Sequence, residues 1–234
     1  MLPRMARRMR CADGGYVYHL LNRAVSRATL FEKPGDYAAF EKVLRQAWEL
    51  SAMRLLCYVV MPNHWHLVVW PEHDGQLSAY AQWLTVTHVR RWHAHHHSEG
   101  TGPLYQGRFK SFPVQQDEHF FTVCRYVERN PLRANLVVRA EQWRWSSLWH
   151  RCQDTAVPWL SGWPVRIPGH WLEYVNGVET EGELAALRNA VVRGAPYGEG
   201  DWQEKTVEAL GLQSALRQAG AAQENKATPQ RNLT

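Results

Sequence analysis

The clearest hydrophobic pattern in the chain is a pair of apolar runs on either side of Pro62-Asn63, in the segment LLCYVVMPNHWHLVVW of residues 55–70. Runs of Val and Leu interrupted by a Pro-Asn pair are typical of two strands joined by a tight turn. Successive side chains of a strand point to opposite faces of its sheet. We therefore expect His64 and His66 to share one face of the sheet, with Trp65 on the other.

The pattern on either side of this hairpin predicts further strands and helices. Residues 16–24 (YVYHLLNRA) are expected to form a first strand, and residues 104–115 (LYQGRFKSFPVQ) a fourth strand that Pro113 breaks at its end. Apolar side chains at helical spacing predict one helix with Asp36 as its N-cap and a second helix over residues 77–93. Their apolar stripes are Phe40, Val43, Leu44 and Ala47 in the first, and Leu77, Tyr80, Ala81, Leu84 and His88 in the second. This order of elements predicts an α+β fold with a ferredoxin-like βαββαβ antiparallel sheet.

A third predicted helix, over residues 117–130 (DEHFFTVCRYVERN), follows the sheet and ends before Pro131. Its apolar stripe consists of Phe120, Phe121, Val123, Cys124 and Val127. At 100° per residue, Tyr126 lies off this stripe, and Asn130 stands one turn further along the same side. The pattern alone leaves open whether Tyr126 is an amphipathic surface residue or a functional one.

Histidines form two groups in the sequence. Two imidazoles at alternate positions of a strand, as in His64 and His66, can bind one divalent ion, although strand histidines are also often structural, and the spacing leaves both interpretations open. A second group, His93 and residues 95–97, follows the second helix. We interpret this group as a solvated helix end, where cations are favourable for the helix dipole.

Composition places the chain among globular proteins of the cytoplasm. Its 234 residues are 45% hydrophobic and 21% charged, which suffices for one substantial core. No apolar run is long enough for a membrane span, and the basic N-terminus lacks the apolar region of a secretory signal. The cysteines have no CxxC spacing, which favours reduced thiols; they are Cys11, Cys57, Cys124 and Cys152.

The charge is basic, with a formal net charge of +5 and a pI of about 9.1, which favours a polyanionic partner. Four arginines lie in a basic arm over residues 1–15: Arg4, Arg7, Arg8 and Arg10. Such an arm can be a solubilising tail, or it can follow a phosphate backbone and reach into a groove.

Four segments, taken in order, resemble the REP-associated tyrosine transposases, which belong to the HUH single-strand transposases. These segments are YHLLNRA, VVMPNHWHLVV, GPLYQGRFKS and YVERNPLRANLV, and the match runs from about residue 16 to residue 148. The resemblance implies a catalytic domain over residues 16–150. A Trp-rich C-terminal extension over residues 151–212 would pack on that domain, and the Gln, Ala and Asn bias of residues 213–234 predicts a disordered tail.

The resemblance also implies roles for individual residues. Tyr126 takes the position of the family's nucleophile, and His64, His66 and Asn130 take the positions of ligands for Mg²⁺ or Mn²⁺. The implied reaction cleaves and rejoins single-stranded DNA beside palindromic REP-like hairpins through a 5′-phosphotyrosine intermediate. We expect the DNA to be contacted by the arm arginines Arg4, Arg7, Arg8 and Arg10, by Asn22 and Arg23, and by Arg108 and Lys110 of the fourth strand.

Two other functions fit the same residues. One is a catalytically quiet protein that binds hairpin DNA with the same domain. The other is a metallohydrolase that uses His64 and His66, in which Tyr126 would be dispensable. We expect a monomer, because a long C-terminal extension can occupy a dimerising surface, with a dimer as the alternative.

Overall fold

The computed structural model describes residues 12–153 and 157–216. Four strands form one antiparallel sheet in the order β2-β3-β1-β4. They are β1 (Val17–Arg23), β2 (Arg54–Met61), β3 (His64–Trp70) and β4 (Lys110–Val114). With one helix after β1 and one after β3, this order confirms the predicted α+β, ferredoxin-like arrangement.

Two long helices cover one face of the sheet, α1 (Pro34–Ser51) and α2 (Gln76–His96). All nine apolar-stripe residues predicted for them are buried. The predicted N-cap was wrong: Lys33 precedes α1, and Asp36 lies in its first turn. The Asp36 carboxylate accepts hydrogen bonds from the backbone N–H of Glu32 (2.9 Å) and Lys33 (3.1 Å). Pro34 begins the helix instead, because proline has no amide hydrogen to leave unpaired there.

The fourth strand is shorter than predicted because it begins only at Lys110, and it ends at Val114, one residue after Pro113. A proline is tolerated here because β4 is the last strand of the sheet, where one side of the backbone needs no donor to a neighbouring strand. The carbonyl of Pro113 accepts a hydrogen bond from the backbone N–H of Tyr197 at 2.9 Å. Arg108 therefore precedes the strand, whereas Lys110 is its first residue.

The remaining helices follow β4, and several of them pack on the opposite face of the sheet. They are α3 (Glu118–Glu128), α4 (Asn130–Arg133), α5 (Ser147–Arg151), α6 (Trp171–Asn176), α7 (Glu181–Arg193), α8 (Gly200–Ala209) and α9 (Gln213–Leu216). Short 3₁₀ turns lie at Val25–Arg27 and Ala140–Gln142. The third helix ends before Pro131, as predicted, but Pro131 itself lies in the first turn of a further short helix, α4. No helix of the described residues combines the length and apolar character of a membrane span.

The C-terminal extension completes this second layer and meets both edge strands of the sheet. Side chains from α6 and α7 share the core beneath α3, namely Trp171, Val175, Leu187 and Ala190. On the outer side of β2, Val59 pairs with Ser146, which precedes the extension, and Leu55 pairs with Leu160, while Val114 of β4 pairs with Tyr197. These bridges occupy part of the backbone that an edge strand otherwise exposes. The predicted tail lies outside the described residues apart from α9.

Candidate active site

Strand β3 presents the histidine pair to α3. Trp65 is buried in the core formed with α1 and α2, whereas Val68 belongs to the opposite core with α3. By strand alternation, His64 and His66 lie on the α3 side with Val68, as the sequence predicted. His64 and His66 are both buried, and their ring centroids are 5.0 Å apart.

Each imidazole of the pair is oriented by a hydrogen bond at its Nδ1 atom. Nδ1 of His64 lies 2.6 Å from Oδ1 of Asn63, and Nδ1 of His66 lies 2.9 Å from Nε2 of His19. The Nε2 atom of His66 is buried and has no hydrogen-bond partner among the described residues. Metal-binding histidines are commonly fixed through one nitrogen in this manner, so that the other nitrogen can coordinate.

Burial keeps these imidazoles neutral. Desolvation, with smaller contributions from the guanidinium groups of Arg23 and Arg133, lowers the pKa of His64 from 6.5 to about 3. Burial also lowers the pKa of His66 well below its ordinary value, and the neighbouring imidazoles and the same two arginines add to this effect. Only a neutral imidazole has a lone pair for a metal, so both side chains are in the protonation state that coordination requires.

Helix α3 places Tyr126 directly beside the pair. Its ring centroid is 5.7 Å from that of His66 and 6.3 Å from that of His19, in both cases edge to face. The guanidinium carbon of Arg133 lies 4.3 Å from the centroid of the Tyr126 ring. Asn130, one turn beyond Tyr126, is buried, and its Nδ2 atom lacks a partner within the described residues.

A buried charge network fixes the helix that carries Tyr126. Glu128 is fully buried, and its carboxylate accepts hydrogen bonds from Oγ of Ser147 (2.6 Å) and Nε1 of Trp171 (2.8 Å). It also pairs with the guanidinium of Arg151. A buried carboxylate is tolerated only with such partners. The network therefore joins α3 to α5 and α6.

Three arginines on one side of α3 and α4 hold the C-terminal extension. Nη2 of Arg125 donates to the carbonyls of Gly177 and Val178, and Nη1 of Arg129 donates to those of Val175 and Asn176, all at 2.7–3.0 Å. Arg133 reaches Glu179 with a shortest distance of 2.9 Å. Because Arg133 also lies over Tyr126, the extension helps to fix the surroundings of the candidate nucleophile.

A cleft of about 500 Å³ opens next to His66 and Tyr126. Its lining is Leu21, Asn22, Arg23, His66, Gln106, Gly107, Arg108, Lys110, Tyr126, Arg188, Val191 and Val192. All four DNA-contact candidates within the described residues line this cleft, although Asn22 is buried, with its amide bonded to the backbone of Gly107 and Arg23. Arg4, Arg7, Arg8 and Arg10 lie outside the described residues.

Sequence reasoning missed several side chains of this site. Strand alternation in β1 places His19 on the same face of the sheet as His66. A histidine inside an apolar strand is a signal in the sequence that could have identified it as a site residue. Asn63 was recognised only as a turn residue. Arg133 and Arg188 carried no local signal, since an arginine on a helix surface is ordinarily solvated.

Among the described residues, no three His, Cys, Asp or Glu side chains come together as a metal-binding cluster. His64 and His66 offer two imidazole nitrogens, and the side-chain amide of the buried Asn130 offers an oxygen. In that amide, the Nδ2 atom has no hydrogen-bond partner among the described residues. Amide oxygens together with imidazoles suit divalent ions of the first row and Mg²⁺.

A family match identifies the chain that carries this fold and His-Tyr site as a DNA transposase. Residues 14–130, half of the chain, match the family model described as "Transposase IS200 like", and the chain therefore belongs to the IS200-like transposase family. The transposase recognised from the sequence is thus confirmed at the level of the family. No curated protein sequence matches the chain significantly.

Two solved structures are similar to the chain. A REP-associated tyrosine transposase bound to a REP hairpin aligns with a TM-score of 0.52 and 17% identity, over 70% of this chain and 100% of that one. A proposed transposase from Deinococcus radiodurans R1 aligns with a TM-score of 0.37 and 18% identity, over 52% of this chain and 95% of that one. At this identity, the first similarity establishes the fold.

Proposed function

We propose that this transposase is a metal-dependent endonuclease and strand transferase that cleaves and rejoins single-stranded DNA next to palindromic, REP-like hairpins. Membership of the IS200-like family supports DNA transposition. The hairpin substrate is proposed from the REP hairpin bound to the structurally similar transposase. The observation that carries the proposal is the Tyr126 ring beside His66, whose buried Nε2 atom has no partner among the described residues.

The residues present fit a divalent metal. In the proposal, His64, His66 and Asn130 would hold Mg²⁺ or Mn²⁺, the two histidines with neutral imidazole nitrogens and the asparagine with its amide oxygen. The bound ion would supply Lewis-acid polarisation of the scissile phosphate. His19 and Asn63 orient the two imidazoles toward this task, because each occupies the Nδ1 side of its partner.

Tyr126 acts as the nucleophile. Its hydroxyl oxygen attacks phosphorus and loses its proton, while the bond between phosphorus and the 3′ oxygen breaks, and that oxygen leaves as a 3′ hydroxyl. The DNA 5′ phosphate remains linked to Tyr126. A 3′ hydroxyl from the same or another strand reverses the step, and the bond energy of the phosphodiester is conserved, so rejoining needs no nucleotide cofactor.

The DNA contacts are proposed at two places. Arg23, Arg108 and Lys110 line the cleft beside Tyr126, where their charges suit backbone phosphates. Asn22 would position the neighbouring loop, since its amide holds the carbonyl of Gly107. The arm arginines Arg4, Arg7, Arg8 and Arg10 would contribute at the hairpin foot.

A covalent-adduct assay tests the reaction. Purified protein is incubated with Mn²⁺ and a pool of hairpin oligonucleotides with randomised single-stranded feet, and the products are separated on a denaturing gel. We expect 3′-labelled DNA to migrate with the protein and 5′-labelled DNA to be released, because the 5′ phosphate is the end that is captured. Tyr126→Phe should abolish the adduct while hairpin binding persists.

The matched control is Tyr174→Phe, since Arg125 lies over the Tyr174 ring at the same 4.3 Å that separates Arg133 from Tyr126. This control should retain the adduct. His64→Ala should abolish nicking and leave hairpin binding in place. Free cleavage products that survive Tyr126→Phe would instead identify a metallohydrolase, and bound but intact DNA with the unmodified protein would identify a DNA-binding protein without catalysis.

A further inference from the structure

One wall of the cleft beside Tyr126 comes from α7, which lies beyond the family-matched residues 14–130. This helix contributes Arg188, Val191 and Val192 to the lining. Both Arg188 and Val192 are exposed, and Val192 retains 72% of its surface accessible, an unusual value for a large apolar side chain beside a candidate active site. The catalytic part and the C-terminal extension thus form one cleft together.

The position of α7 is fixed by its other side. Leu187 and Ala190 are buried in the core shared with α3. Thr180 and Glu183 close the first turn through reciprocal hydrogen bonds of 3.2 and 2.9 Å. At the C-terminal end, Gly194 has a φ of +68°, and a Cβ atom there would lie 3.3 Å from the carbonyl oxygen of Ser111 in β4. A rigid helix therefore presents its exposed side to the cleft.

The lining of the cleft carries uncompensated positive charge. It contains Arg23, Arg108, Lys110 and Arg188 but no Asp or Glu. Within residues 12–153 and 157–216, the side chains of Arg108, Lys110 and Arg188 make no hydrogen bond or ion pair. By contrast, the arginines of α3 and α4 are bound to carbonyls and carboxylates of the extension. Cations left unpaired along one groove attract a polyanion.

The chemistry of the cleft favours a single strand over a duplex, because apolar side chains lie beside the cations in its lining. The bases of a single strand have exposed faces that can pack against protein side chains, whereas a duplex presents chiefly its phosphates to such a surface. Val191 and Val192 line the same cleft as the cations and offer apolar contacts of this kind.

We propose that α7 forms one side of a binding groove for the single-stranded DNA that adjoins the scissile phosphate. Arg188 and Lys110 contact backbone phosphates, and Val191 and Val192 contact bases. The inference rests on the proposed function in taking DNA as the ligand. It adds a binding surface from the C-terminal extension to the site.

The test measures binding of a fluorescein-labelled 12-nucleotide oligodeoxythymidine to the full chain in EDTA, by anisotropy at several salt concentrations. Each phosphate contact on a single strand contributes about −0.7 to the slope of log K against log salt. We expect Arg188→Gln to weaken binding and make the slope about 0.7 less steep. For the double variant Arg188→Gln, Lys110→Gln, the slope should be about 1.4 less steep.

Arg166→Gln is the matched control, because Arg166 is an exposed arginine of the same extension that does not line the cleft. It should leave the slope unchanged. Equal slopes for Arg188→Gln and Arg166→Gln would overturn the proposal. It would also be overturned if Arg188→Gln weakened the binding of a 12-base-pair duplex as much as that of the single strand. Since EDTA suppresses cleavage, the result is independent of the Tyr126 adduct, and the groove and the nuclease activity can fail separately.

Discussion

His19 shows how a single buried side chain specialises the site. Its Nε2 atom lies 2.9 Å from Nδ1 of His66, and the two rings stack with centroids 5.0 Å apart. Burial lowers the pKa of His19 to about 3, so it remains neutral and adds no positive charge next to the candidate metal ligands. A neutral imidazole can orient a metal ligand without adding a positive charge that would repel the bound cation.

Buried neutral histidines also determine the response of the fold to acid. Burial, with a smaller contribution from His96, lowers the pKa of His88 from 6.5 to about 3. His88 lies in the core with α1, away from the candidate active site, and its Nδ1 atom is 2.7 Å from the hydroxyl of Tyr105. Between pH 6.5 and pH 3 the unfolded chain binds a proton here that the folded chain does not. The contribution of His88 to the free energy of unfolding therefore falls as pH decreases.

We predict that His88→Gln makes the free energy of unfolding less sensitive to acid. Between pH 7.5 and pH 5.0 a histidine shifted in this way costs the folded state about 2 kcal/mol, so the variant should lose about that much less than the unmodified chain. Urea unfolding at the two pH values, in EDTA, measures the difference. His95→Gln, at an exposed position of the same helix, is the control. An unchanged pH dependence for His88→Gln would contradict the prediction.

At the level of secondary-structure elements, α3 is the part of the fold on which the site depends. It carries Tyr126 on one side and packs Phe120, Val123 and Val127 against the sheet on another. Its third side is occupied by the buried Glu128 network and by the arginines that hold residues 175–179. Contacts on three sides leave the helix little freedom to rotate, which keeps the Tyr126 ring beside His66.

We predict that Glu128→Ala lowers the free energy of unfolding by about 3–5 kcal/mol, because it leaves the Arg151 guanidinium buried without its carboxylate. The double variant Glu128→Leu, Arg151→Met should be closer in stability to the unmodified chain than either single change. Urea unfolding measures all of these variants. Glu49→Ala breaks an exposed pair with Arg45 and should cost under about 1 kcal/mol.

A double variant no more stable than the single variants would contradict this account. It would mean that the loss arises from packing around Glu128 rather than from a stranded charge.

At the scale of the whole molecule, the C-terminal extension covers part of both edge strands and one side of α3 and α4. It pairs with the outer strands β2 and β4, and it binds the arginines of α3 and α4. An uncovered sheet edge or an unpartnered helix face is the usual basis for exchange of elements between chains. The extension reduces both features at these places.

We therefore predict a monomer. Size-exclusion chromatography with light scattering should give a mass near 27.1 kDa at every loading concentration. A concentration-dependent rise toward twice that mass would show that another surface associates. When a hairpin oligonucleotide is added, the measured mass should rise by the mass of one DNA molecule, as expected for a complex of one protein chain with one DNA.

Much of the fold followed from local pattern. Alternation in β3 placed His64 and His66 together, and every stripe residue that helical spacing predicted for α1 and α2 is buried. Local pattern was less successful at the ends of elements. Asp36 accepts hydrogen bonds from the backbone of Glu32 and Lys33 from inside the first turn, so the helix begins before it. Pro113 is accommodated because β4 is the last strand of the sheet, a position that the local pattern does not give.

The sequence by itself determined the sheet, the face of the histidine pair and the transposase family, because side-chain periodicity and short motifs are properties of adjacent residues. Only the tertiary structure decided that His19 meets His66, that the extension holds α3, and that α7 lines the cleft with Arg188. These contacts join segments far apart in the chain. Their formation depends on how shapes and charges fit across the packed layers, and no local spacing records that fit.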